Sequence, residues 1–96
     1  MADFSSLYNH HEREVFAAVT AGSANYPGLV ITNDLLCDVA CVALNRLPPR
    51  YIRHEVDFSF YMTATERQEI DAAINEAVTF AFQFVEARTA LRRNSA

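Results

Sequence analysis

Residues 46–54, Arg-Leu-Pro-Pro-Arg-Tyr-Ile-Arg-His, hold three arginines and no carboxylate, a local charge of +3, whereas the rest of the chain holds five arginines and twelve acids, −7. Arginine presents a planar fork of donors that matches phosphate oxygens or the O6/N7 edge of guanine. Tyr51, directly after Arg50, adds a flat ring on which a base can stack. Arg46, Arg50, Tyr51 and Arg53 are therefore candidate ligands for a small anion or a nucleotide. A plainer reading uses the same residues. Arg46 and Arg50 follow a helix, where cations answer the C-terminal carbonyls and pair with Asp or Glu. The residues alone leave both readings open.

Other chemistry finds less support. His10 and His11 are adjacent, so on a helix they point about 100° apart and are poorly placed to share one metal. Cys37 and Cys41, four apart, make at most half of a zinc site, and free cysteine commonly packs as a small hydrophobe. No metal site is expected. The chain has no lysine, which removes Schiff-base and P-loop lysine chemistry, and its two glycines make no phosphate-binding loop. No local signature marks a nucleophile with a base and an orienting group. Asp34, Asp38, Glu66, Glu69 and Asp71 lie where helix starts favour carboxylates, and Arg88, Arg92 and Arg93 lie where a helix end favours cations. The expectation is a protein that is not an enzyme and needs no cofactor.

A net charge of −4 argues against general DNA or RNA binding, which rests on many phosphate contacts. The N-terminal residues lack a basic stretch followed by an apolar one, and no apolar run approaches the ~18 residues of a membrane span. With two thiols and no disulfide pattern, a cytoplasmic protein without membrane insertion is expected.

The elements that would position these residues are mainly helical. Asn9 as N-cap with Glu12 three residues on resembles a capping box, and Val15, Phe16 and Val19 mark one apolar face. The breaker-rich stretch 22–28 predicts a loop. A second helix starts at Thr32, Asn33 or Asp34. It carries a stripe of Leu36, Ala40, Ala43 and Leu47, broadened by Leu35, Val39 and Val42, and stops at Pro48 and Pro49. Residues 51–53 and 56–61 alternate aromatic and β-branched residues in a way that favours extended structure. Thr63 and Glu66 form a second capping box, opening a long helix through Ile70, Ile74, Ala77, Ala81 and Val85 to about Arg93. Such a helix would measure ~45 Å, against ~35 Å for a compact domain of this size. Phe80, Phe82 and Phe84 point in three directions around it. The surplus predicts a homodimer with Val78, Phe80, Phe82, Phe84 and Val85 at the interface. The fold class expected is mainly α: three helices, with a short extended or β segment between the second and third, in one domain over residues 1–96.

The run from Cys37 to Tyr51, which contains Ala43-Leu44-Asn45-Arg46-Leu47-Pro48-Pro49-Arg50-Tyr51, resembles the signature of the late competence development protein family, ComFB. Asn9-His10-His11-Glu12 is similar to the family's Asn-x-x-Glu, and the resemblance extends more loosely over residues 8–86. It implies a mostly helical, homodimeric, cytoplasmic bacterial protein without catalytic activity. It also implies a receptor for the second messenger cyclic di-GMP, whose two guanines and two phosphates suit an Arg/Tyr cluster. The chain departs from members that carry a zinc-binding group of cysteines before the aspartate, because only Cys37 precedes Asp38 here. The resulting expectation is a non-enzymatic cyclic di-GMP-binding signalling adaptor that acts on an unidentified downstream protein. The alternative is a nucleotide-independent protein–protein interaction module built on the Phe-rich helix.

Overall fold

The computed structural model describes residues 2–94. Among them lie four helices and one two-stranded ladder: β1 (Tyr8–Asn9), α1 (His11–Gly22), a 3-10 turn (Ser23–Asn25), α2 (Asn33–Arg46), β2 (Tyr51–Ile52), α3 (Glu55–Tyr61) and α4 (Ala64–Asn94). The protein is mainly helical, with a long C-terminal helix and a short β segment between α2 and α4.

α1, α2 and α4 pack on one another as a three-helix bundle, with the most extensive contact between α2 and α4. Ala40 and Ala43 of α2 and Ala77 and Ala81 of α4 are all buried, and their small side chains let the helices approach closely. Val15, Val19, Val39, Ile74 and Phe82 fill the space between. Phe82 is 1% exposed and stacks on Tyr26 with ring centroids 4.4 Å apart. The end of α1 comes so close to this ring that a Cβ on Gly22 would lie 3.2 Å from it.

Helix starts follow local chemistry. Thr32 has extended backbone and its Oγ1 accepts the Leu35 N–H at 3.1 Å, capping α2. Thr63 Oγ1 accepts the Glu66 N–H at 3.1 Å, capping α4. The expected box at Asn9 and Glu12 does not form. α1 begins at His11 without a side-chain cap, because Asn9 is already an extended ladder residue. Asn9 Oδ1 instead accepts from the N–H of His11 at 3.2 Å and of Arg50 at 3.1 Å, while Glu12 stands exposed.

Three further expectations are corrected. Residues 56–61 are helical. Their alternation has no neighbouring strand to pair with beyond the two residues of β2, and a helix satisfies its own backbone where a lone extended segment cannot. Second, Val78, Phe82 and Val85, expected at an interchain surface, are buried inside the protomer. Phe80 is half-buried and Phe84 is 46% exposed. α4 wraps its apolar residues with α1 on one side and α2 on the other, so more than one face finds cover within the chain. The length argument also changes: the molecule measures 50 × 38 × 19 Å, and its radius of gyration of 15.7 Å exceeds the ~12.5 Å of a compact chain this long. The 31-residue α4, ~46 Å long at 1.5 Å per residue, is no longer than the 50 Å dimension of the molecule. Third, Cys37 and Cys41 are exposed rather than packed inside.

Candidate functional site

The ladder that pairs Tyr8 with Ile52 and Asn9 with Tyr51 fixes the arginine segment against the start of α1. Pro48 and Pro49 stiffen the approach, and the backbone of Arg50 is then held on both sides. Its N–H donates to Asn9 Oδ1, and its carbonyl accepts from the His10 N–H at 2.7 Å. With its backbone so fixed, Arg50 lays its guanidinium over the Phe58 ring of α3, 4.8 Å from the centroid. Phe58 in turn packs against His10 at 4.4 Å. The same helix is tethered by Glu55, which accepts from Tyr8 Oη at 3.4 Å and faces Arg13 at 3.8 Å. Desolvation of the Tyr8 hydroxyl, with Glu55 beside it, raises its pKa above the ordinary tyrosine range.

The four residues singled out in the sequence do not form one group. Arg46 turns to α4, where Nη2 donates to Glu76 at 2.8 Å and the guanidinium lies 3.9 Å over the Phe80 ring. This bond holds the Glu76 carboxyl below its usual value and raises Arg46. Arg46 thus follows the helix-end reading. Arg50, Tyr51 and Arg53 stay together in or beside β2, with Tyr51 68% exposed and Arg53 exposed.

Two clefts meet at Arg50. One, of about 260 Å³, lies between the Pro48–Pro49 turn and α4 and includes Glu69, Ile70 and His11. The other, of about 270 Å³, lies between α3 and α4 and includes Asp57, Phe58, Tyr61, Met62 and Glu66. Sequence reasoning missed Asp57, Phe58, Glu66 and Glu69 as cleft residues. The carboxylates look like ordinary helix-start acids, and Phe58 looked like a strand residue. The signal that was present is the spacing of Glu66 and Glu69, three residues apart and so on neighbouring positions of one helix face.

His11 lies beneath the first cleft, buried, with its Nδ1 unpartnered; His10 Nδ1 is likewise unpartnered. Burial pushes the His11 imidazole below its ordinary pKa, helped by His10 and Arg50 and opposed by the Pro48 carbonyl. Elsewhere, an apolar groove of about 630 Å³ runs between α1 and α2, where Phe16, Leu36, Ala40 and Leu44 flank Cys37 and Cys41. Among the described residues no three His, Cys, Asp or Glu side chains are grouped so as to hold a metal ion. Nor is any described helix long and apolar enough to cross a membrane.

A cationic fork resting on an aromatic ring, set between two clefts, is suited to holding an anionic group that carries flat rings. Comparison with known proteins finds the family model of the late competence development protein ComFB matching residues 8–89. No curated protein matches the chain. The matched span takes in the ladder, the Pro-Pro turn, Arg50 and both clefts, and the chain belongs to the ComFB family of late competence development proteins.

Proposed function

We propose that this protein is a non-enzymatic receptor for cyclic di-GMP, working in the cytoplasm as a homodimeric signalling adaptor without a resident cofactor or metal. The observation that carries the reading is Arg50. Among the described residues its guanidinium makes no salt bridge and rests on the Phe58 ring, between two clefts and next to Tyr51 and Arg53. A guanidinium with an unspent fork and an exposed aromatic neighbour is equipped for phosphate and base together. Ligand binding would favour one arrangement of the protein over another and alter how a downstream protein is met. Surfaces for that meeting exist. Val56, Phe60 and Tyr61 of α3 are each about four-fifths exposed.

Self-association is proposed for the α1–α2 groove, which the phenylalanines of α4 do not line. The Phe-rich helix expected to supply the dimer interface has Phe82 in the core and only Phe84 well exposed. Calorimetric titration with cyclic di-GMP tests the function. Heat of binding should appear with the parent chain and fall away in the Arg50→Ala/Arg53→Ala variant. No heat above dilution at tens of micromolar protein would overturn the proposal.

A further inference from the structure

We infer that Cys37 and Cys41 are a redox-sensitive crosslinking site between two copies of the chain, Cys37 of each joining the partner's Cys41 in a disulfide. This rests on the self-association proposed above and adds to it the orientation of the two copies and a covalent lock.

Cys37 and Cys41 are four residues apart on α2 and both are exposed, so they stand one turn apart on a single ridge of the helix. Asn45, one turn further on, donates from Nδ2 to Cys41 Sγ at 3.6 Å. The ridge divides two depressions of different character. On the α1 side both thiols line the apolar groove with Phe16, Leu36 and Leu44, and no charged side chain borders it. On the α4 side Cys41 lines a cleft of about 350 Å³ with Asp34 and Asp38 on one wall and Arg88 and Arg92 on the other. Among the described residues Asp34, Asp38 and Arg88 form no salt bridge within the protomer.

Two copies of a chain with net charge −4 repel, so a face they share must be uncharged or must answer its own charges. A two-fold contact sets the same patch on both sides. With the two α2 helices antiparallel, groove covers groove and cleft covers cleft. Phe16 then meets an apolar wall and Asp38 meets the partner's Arg88. With the helices parallel, each cleft would cover the partner's groove and leave Asp38 against apolar side chains. The charges therefore select a second copy in the antiparallel orientation.

Antiparallel contact centred on the ridge brings Cys37 opposite the partner's Cys41, twice. Packed helices lie ~8–10 Å apart and each Cα stands ~2.3 Å from its axis, so facing Cα atoms at the wider spacing are ~5.4 Å apart, within the ~4.4–6.8 Å of disulfides. The oxidant is a small-molecule disulfide, acting by two exchanges. The Cys41 thiolate attacks one of its sulfurs, forming a mixed disulfide and expelling one thiolate. The thiolate of the partner's Cys37 then attacks the Cys41 sulfur and expels the second. Two cysteine thiols are oxidised to one disulfide, the oxidant is reduced to two thiols, and the two cysteine protons pass to them.

The test incubates the full chain at tens of micromolar with oxidised glutathione and reads non-reducing electrophoresis beside sedimentation of the reduced protein. The parent should give a crosslinked dimer that dithiothreitol reverses. Cys37→Ser and Cys41→Ser, both at exposed positions, should keep the parent's thermal midpoint, and each alone should lose the crosslink. An equimolar mixture of the two variants should regain roughly half of the parent's yield, the share of mixed dimers. A reduced dimer that oxidises only to glutathione adducts or an intrachain disulfide would overturn this inference and leave self-association standing. So would a single variant that still crosslinks, or a mixture that does not. A parent that sediments as a monomer and yields no crosslink would overturn both.

Discussion

The guanidinium of Arg46 grips Glu76 through Nη2 at 2.8 Å and Nε at 3.1 Å, tying the last residue of α2 to α4. This fork separates Arg46 from Arg50, four residues later. The first arginine has its charge answered within the protomer and the second does not.

Arg46→Ala should therefore leave cyclic di-GMP affinity within about twofold of the parent, while Arg50→Ala should lower it tenfold or more, the loss typical of a charge-assisted bond. Calorimetry on the two single variants separates them. Equal losses would return Arg46 to the ligand site.

Phe82→Ala should cost about 3–5 kcal/mol, because it opens a cavity under Tyr26 and Gly22. Phe84→Ala, on the surface, should stay within about 0.5 kcal/mol. Urea denaturation measures both. A small effect at Phe82 would mean that its ring is not part of the protomer core.

Asn9 and Thr63 both supply a side-chain oxygen to backbone N–H groups, with different reach. Thr63→Ala removes one cap, and about 1 kcal/mol of stability should go with it. Asn9→Ala removes the acceptor for both His11 and Arg50, so it should also weaken ligand binding by loosening the Arg50 turn. Ligand affinity that tracks stability equally in the two variants would argue against a positioning role for Asn9.

Acid should destabilise the protein through His11. The folded state holds this imidazole below its ordinary pKa of 6.5 because it is buried, so the unfolded chain binds the proton more readily. The stability that depends on a neutral His11 is complete above pH ~6.5 and is lost as pH falls below that value. Thermal midpoints measured from pH 7.5 to 5 should decline, and His11→Asn should flatten that decline. An unchanged slope in the variant would place the titration elsewhere.

If the α1–α2 groove joins two copies, Phe16→Glu should shift sedimentation toward the monomer, and Phe84→Glu should not. The reverse result would move the interface to α4.

Much of the fold is written locally. Thr63 with Glu66, the apolar stripe 36–47 and the Pro48–Pro49 stop act within three or four residues, over which backbone hydrogen bonds and caps operate. The run Ala43–Tyr51 was enough for the family resemblance, and residues 8–89 match the ComFB family model. The period of 56–61 misled for the opposite reason. Alternation favours a strand only where a neighbouring strand exists, and here β2 ends at Ile52.

By itself the sequence determined three long helices, the place where α2 must stop and the clustering of three arginines beside Tyr51, all features set by neighbours along the chain. The tertiary structure alone decided that Arg46 rather than Arg50 meets a carboxylate, which phenylalanine fills the core and which carboxylates border Arg50. Those outcomes depend on contacts such as Arg46 with Glu76, 30 residues apart, and Tyr8 with Glu55, 47 apart. Separations of that length are closed by packing α1, α2 and α4 together, and no local pattern encodes which side chains then meet.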